Sequence, residues 1–415
     1  MVKQGYKQTE IGVIPEDWEV MELKDIASIV GGGTPKTNII SYWKDDINWF
    51  TPTELGNCKF ISESIRKISY EGLRNSSAKL LPKGTILLTT RASIGDTAIL
   101  LNEATTNQGF QSLIVNNNTS NEYIYYLIET LKPQLLQNAS GSTFLEISPN
   151  KVKNIQIPLP PLPEQEAIAE ALSDADAWIE SLEQLIAKKR LIKQGAMQEL
   201  LTPPSTSSGN ADGEALEPWE VKKLGEVADF RRGSFPQPYG LDKWYDDTNG
   251  MPFIQVFDVA KNRKLKLDTK SKISALAQPM SVFVPKGTVV LTIQGSIGRI
   301  ALTQYDAYCD RTLLIFQRID TSLDKFFFLL QVEQIFEIEK EKAPGGTIKT
   351  ITKEALSDFD ISFPKSLSEQ ERIAMILSDM DAELETLEKQ LGKARQIKQG
   401  MMQELLTGKT RLIDN

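Results

Sequence analysis

The sequence predicts a mixed α/β protein of two similar globular domains and two long helices, the helices packed as an antiparallel coiled coil about an internal pseudo-two-fold. Three observations predict it. A 39-residue segment that begins at Glu164 recurs at Glu369, 205 residues on and without a gap, and 25 of its 39 positions are identical. Each copy carries apolar residues at alternating steps of four and three, the heptad of a coiled coil. The stretch before each copy also repeats, at slowly drifting offsets, and mixes strand-like with helix-like runs.

Residues 1–160 form the first domain. Trp18-Glu19-Val20 recurs as Trp219-Glu220-Val221, Pro82-Lys83-Gly84-Thr85 as Pro285-Lys286-Gly287-Thr288, and Ser93-Ile94-Gly95 as Ser296-Ile297-Gly298. Thr143 and Ile147 recur as Thr347 and Ile351. The apolar runs 86–90 and 289–293 read as buried strands entered through a Lys-Gly turn, and 112–115 and 313–316 read likewise. Residues 121–137 and 322–342 read as helices, with Tyr123, Tyr126, Leu127 and Leu131 on one face.

Residues 161–202 form the first long helix. Its seam includes Ile168, Leu172, Ala175, Ile179, Leu182 and Ile186, and Pro163 opens it. Residues 203–217, rich in Pro, Ser and Gly, form a linker. The second domain covers 218–365. The second long helix covers 366–408, with Ile373, Leu377, Met380, Leu384, Leu387, Leu391 and Ala394 on its seam and a capping box of Ser368 and Glu371. A tail, 409–415, follows.

Two polar seam positions coincide, Lys193 and Lys398, and such residues fix register. Gly195 and Gly400 lie two residues on. A glycine inside a helix costs about 1 kcal/mol against alanine, so a repeated one points to close backbone approach or a bend. Each helix is acidic in its first half and basic in its second, and only an antiparallel pair sets opposite charges together.

Composition narrows the chemistry. The 415 residues include no histidine and two cysteines, Cys58 and Cys309, with no metal-ligand spacing. Histidine-dependent catalysis and common zinc motifs are excluded. No dinucleotide or phosphate-binding glycine loop occurs, so no catalytic residue, metal or cofactor is assigned to this chain. No apolar run reaches membrane length and no signal peptide opens the chain, so a cytoplasmic protein without membrane contact is expected. The net charge of −8 argues against nucleic acid, but residues 161–202 alone carry −4, and the globular parts are nearly neutral.

The candidate chemistry lies in polar loops at matching places. The loop 31–46 offers Thr34, Lys36, Trp43 and Lys44; its counterpart 232–247, with the residue before it, offers Arg231, Arg232, Gln237, Lys243 and Trp244. The turn after the Lys-Gly strand offers Arg91 and Ser93 against Gln294, Ser296 and Arg299. A third place sets Asn107-Gln108 against Asp310-Arg311. Arginine suits guanine and an amide suits adenine in the major groove, while lysine and serine suit phosphate. The basic run Lys261, Arg263, Lys264, Lys266 and Lys270 suits phosphate or a plain solvated strand.

These residues carry a family resemblance. The IPEDWEV entry at 14–20, Gly32-Gly33-Thr34-Pro35, the Pro-Lys-Gly strand with its Ser-Ile-Gly, LPEQEAIAE at 162–170, LIKQGAMQELLT at 191–202 and GKTRL at 408–412 resemble the specificity subunit of type I restriction–modification enzymes. The resemblance implies two target-recognition domains, each reading half of a split duplex DNA sequence. It also implies that the helices hold the domains apart and dock two methyltransferase subunits, with restriction (motor-nuclease) subunits joining. S-adenosylmethionine would then belong to the partner, which methylates adenine N6. Phe235 stands where the first domain has Thr34, a departure from the pattern. A second reading, from the acidic total and the heptads alone, is a coiled-coil adaptor whose domains bind proteins. Salt-dependent binding to duplex DNA separates the two.

Overall fold

The computed structural model describes residues 3–413 apart from 45, 57, 142–144, 205–217 and 343–350, and apart from the side chains of 340–342. The linker beyond Pro204, and the repeated Thr143 and Thr347, lie outside the described residues. The chain divides into two units, Met1–Glu183 with Gln390–Asn415, and Gln184–Lys389. Each therefore holds one domain, the first half of that domain's own long helix, and the second half of the other.

In the first unit a five-stranded sheet runs in the order Ala27–Gly31, Gln111–Val115, Ile86–Leu88, Thr97–Leu100, Phe60–Ile61. Its last pair is parallel and the others antiparallel. Side chains alternate across a strand, and both faces are covered. Ile86 and Leu88 join Tyr123, Ile124 and Leu127 of the helix Asn121–Asn138. Leu87, between them, joins Phe50, Ala98 and Phe110 on the opposite face. A second sheet, Ala104–Thr106, Ile47–Phe50, Arg66–Ile68, carries Trp49 and Ile68 into a further small core.

The second unit repeats this plan. One sheet runs Ala228–Arg232, Leu313–Ile319, Val289–Thr292, Ile300–Leu302; another runs Ser271–Ile273, Met251–Ile254, Ala307–Cys309, Val282–Val284. Val289 and Leu291 face Phe327 and Phe328 of the helix Lys325–Lys342, while Val290 packs the other way with Ala301 and Ile315. The mixed α/β reading and the four buried strand runs match this architecture.

The long helices span Leu162–Leu200 and Leu367–Leu405. The second starts before Ser368, so the predicted capping box is displaced: the Ser366 hydroxyl accepts from the Glu369 amide at 3.4 Å, and Ser368 bonds only to Ser366. Past its end Gly408 takes a φ of +69°, and the Lys409 amide donates to the Glu404 carbonyl at 2.9 Å, a glycine stop. Ile168 and Leu172 are buried in the first domain's core with Leu405 and Leu406; Ile373 and Leu377 are buried in the second's with Leu201. The ends of the helices thus serve their domains.

Within each unit the helical halves run antiparallel, and acid meets base. In the second unit Lys189 pairs with Glu383, Arg190 with Glu388 and Lys193 with Asp381. In the first, Glu183 pairs with Arg395 at 2.6 Å and Asp176 with Lys398 at 2.7 Å. Both seam lysines therefore have an aspartate partner, and the two aspartates are themselves repeat equivalents. Of the two readings of Gly195 and Gly400, close backbone approach is not met. A Cβ at either would have nothing within 4 Å, so no backbone approaches them.

The tail is held in the first unit. Arg411 forks onto Asp17 and onto the buried Glu164, whose other contact is the Trp18 indole N–H at 2.9 Å. The guanidinium holds the Asp17 carboxyl below its usual range. Glu164 belongs to the repeated Glu-Gln-Glu. The buried Gln165 and Gln370 beside it cap equivalent turns, accepting from the amides of Ser120 and Asp324.

Candidate nucleic-acid interface

In each domain the glycine-rich loop lies directly on the turn that follows a parallel-paired strand. The Gly33 amide donates to the Thr106 carbonyl, and the Ser234 amide to the Cys309 carbonyl. Only glycine fits there. A Cβ at Gly32 would stand 2.0 Å from the Asn107 carbonyl oxygen, and one at Gly233 2.3 Å from that of Asp310. This approach brings Thr34 and Gln108 together, the hydroxyl donating to the amide oxygen at 2.6 Å.

The matching place in the second domain holds a different set. The Tyr239 hydroxyl donates to Asp310, which also accepts from the amide and hydroxyl of Thr312. Gln255 reaches the same tyrosine at 3.5 Å, and the Arg311 guanidinium lies 5.4 Å from its ring centre. Partial burial and the Asp310 carboxylate push the Tyr239 phenol above its ordinary pKa, so it acts as a hydrogen-bond donor. Asp310 stands in the third matched place, whereas Tyr239 and Gln255 were not among the sequence candidates. Phe235 is buried against Tyr239, Tyr245 and Phe253, so it shares no role with Thr34.

The turn after the Lys-Gly strand is shared in shape. Thr89 and Thr292 donate to the carbonyls of Ser93 and Ser296. Ala92 is held at a φ of +61° where the second domain has Gly295 at +70°. A non-glycine residue in that region is uncommon and costs conformational energy. Arg91, beside it, is exposed and pairs with Glu146 at 2.8 Å. The Ser93 hydroxyl oxygen is buried with no partner among the described residues. Gln294 is exposed, whereas the half-buried Arg299 directs its guanidinium to the Val259 carbonyl.

Lys36, Lys44, Arg231, Arg232, Gln237 and Lys243 are exposed, as phosphate contacts need. Trp43 is half-buried. It meets Trp49 edge-on at 5.0 Å, and the Arg66 guanidinium, also missed in the sequence reading, covers its ring at 3.8 Å. The basic run divides. Arg263 is buried between Glu333 and Asp381, Lys264 reaches Glu385, and Lys270 lies over the Phe257 ring. Neither a histidine–cysteine–carboxylate group able to hold a metal nor a helix long and apolar enough to cross a membrane occurs among the described residues.

Comparison with known proteins places the chain in a family. The family model for the type I restriction modification DNA specificity domain matches residues 15–189 and again 216–396. The chain is 36% identical over 271 residues to the type I restriction enzyme MjaIX specificity subunit of Methanocaldococcus jannaschii, a match that spans 62% of this chain and 61% of that protein. It is 28% identical to the putative type I restriction enzyme MjaX specificity subunit of the same organism, over 99% of this chain and 97% of that one. Among solved structures, the S subunit of a type I restriction–modification system from M. genitalium has a TM-score of 0.58 at 16% identity, covering 94% of this chain and 96% of that one. A structure from work on assembly and conformational transition of the type I system has a TM-score of 0.60 at 20% identity, covering 96% and 99%. These two likenesses concern the fold. With both of its domains matched by one family model, the chain belongs to the type I restriction–modification DNA specificity family.

Proposed function

We propose that this chain is the sequence-reading, non-catalytic subunit of a type I restriction–modification complex. Each domain reads one half of a split duplex DNA target. The long helices set the distance between the halves and dock two methyltransferase subunits, which bring S-adenosylmethionine and methylate adenine N6. Restriction subunits join the same cytoplasmic complex.

One observation carries the reading. The two domains keep a single frame but present different side chains at the same places: Thr34 and Gln108 in one, Tyr239, Asp310 and Arg311 in the other. An amide matches adenine and a guanidinium matches guanine, so one frame with two sets of readers suits two unlike half-sites. Exposed lysines around each set supply phosphate contacts.

Two measurements test it. The chain with its methyltransferase partner should bind duplex DNA with log affinity falling linearly against log salt. Methylated adenines in a host that carries both should define one bipartite motif. Salt-independent binding to proteins and no such motif would leave the adaptor reading in its place.

A further inference from the structure

Each domain sends one basic side chain away from its sheet and buries it against its own long helix. In the first domain this is Lys59, whose side chain is 12% exposed. Its ammonium pairs with Glu122 and donates to the Tyr126 hydroxyl at 3.1 Å and the Ser173 hydroxyl at 2.6 Å. In the second it is Arg263, 5% exposed, which forks onto Glu333 at 2.6 Å and onto Asp381 of the long helix. The two occupy one place in the fold. The Lys59 carbonyl accepts from the Ile99 amide, and the Arg263 carbonyl from that of Leu302, at matching strand positions.

The acids they meet continue the network. Asp381 also pairs with Lys193 of the antiparallel helical half. In the first unit Asp176, three residues past Ser173, pairs with Lys398 and accepts from Tyr126. In both units, then, one polar cluster ties together the domain, its own helix and the returning helix. Buried ion pairs are a poor source of stability, because desolvation offsets most of the attraction, yet removing one partner is costly. Such a cluster selects one geometry more than it adds stability.

We infer that Lys59 and Arg263 are positioning residues that fix the tilt of each domain on its helix, and with it the spacer length at which both half-sites are read. This rests on the reading of the chain as a DNA specificity subunit. Arg263 bridges two carboxylates with a planar fork that a lysine cannot reproduce, so even the charge-conserving change loosens the second domain.

The test uses the full chain with its methyltransferase partner and three variants. Arg263→Lys keeps the charge. The double change Arg263→Met, Glu333→Gln leaves no unpaired charge, because Asp381 keeps its pair with Lys193, and so guards against simple unfolding. Arg190→Met, which removes an exposed pair, is the control. Spin labels at Asn249→Cys and Thr386→Cys, in a Cys58→Ser background, report the angle of the domain on its own helix. The first two variants should broaden that distance distribution and the control should not. Mapped methylation should keep its half-site bases while sites with a spacer one base pair off gain on the order of tenfold, the scale of a single mismatched pair. An unchanged distribution and spacer overturns the inference, and so does a changed half-site base, which makes Arg263 a reader. If the wild-type chain yields no bipartite motif, the functional reading fails, and the distance measurement still decides the lock.

Discussion

Arg91, a candidate base reader, meets a carboxylate within its own domain. It sits beside the strained Ala92 and pairs with Glu146, both side chains being well exposed. An exposed pair of this kind contributes about 0–1 kcal/mol, so giving up the carboxylate would cost the guanidinium little on the proposed binding of DNA. Arg91→Ala should lose about 1–3 kcal/mol on cognate DNA and relax one base position. Glu146→Gln should tighten cognate and random duplex alike, because it removes a competitor and a negative charge without touching a base contact. Titration against both duplexes checks the pair; equal loss on both for Arg91→Ala would take it off the list of readers. Thr34 and Gln108 were legible in the sequence because each stands in a repeated place where its counterpart differs. The Tyr239 cluster was not, since its bond to Asp310 joins residues 71 apart and depends on how 237–241 folds over a strand end. Trp43 is the aromatic residue of its loop, yet Trp49 meets it edge-on and Arg66 covers its ring, and no pattern in the sequence marks that cover.

The long helices were the most legible elements, because a heptad needs only spacing and a repeat needs only identity. Direction followed from charge, and the Lys193–Asp381 and Asp176–Lys398 pairs agree with it. Two finer points were not legible. The start of the second helix moved from Ser368 to Ser366 because Leu367 already takes helical geometry, and several serines there can cap. For Gly195 and Gly400 the sequence offers close approach or a bend, and the open space at both leaves only the bend. Their cost to the helix is therefore uncompensated by packing in the chain by itself. Gly195→Ala and Gly400→Ala should each raise stability by about 0.5–1 kcal/mol, the helix-propensity gain with no clash to offset it. Urea unfolding with unchanged slope measures this. A loss instead of a gain would show a required bend. The lysine that the sequence placed in a basic run, Arg263's neighbour Lys264, and Arg263 itself turned out to serve the helix. Periodicity cannot show that, because the acids they meet come from other elements.

At the scale of the whole molecule, the proposed spacing between half-sites depends on helix length, and the structure restricts where that length can be changed. An insertion beside Leu201 would fail for an unrelated reason. Leu201 is buried in the second domain's core, and its carbonyl accepts from the buried Gln331 amide, so extra residues there would disturb the domain's anchor. Ile186 and Leu391, in the helix middles, belong to neither of these domain cores. Four residues inserted after Ile186 and four after the equivalent Leu391 lengthen both helices together. Each gains ~6 Å and turns by ~40° beyond a full turn. One base pair of DNA adds ~3.4 Å and, at ~10–10.5 base pairs per turn, rotates the duplex by ~35°. Both helices are right-handed, so rotation matches a single added pair, while length alone would allow one or two. The polar clusters at Lys59 and Arg263 lie away from both insertions and keep each domain on its helix. The methylated motif should therefore keep both half-sites and gain a spacer longer by one base pair, with two as the upper bound. Mapping of methylated adenines reads the result directly. Full activity with the original spacer would show that helix length does not set the distance, and would leave domain tilt alone to do so.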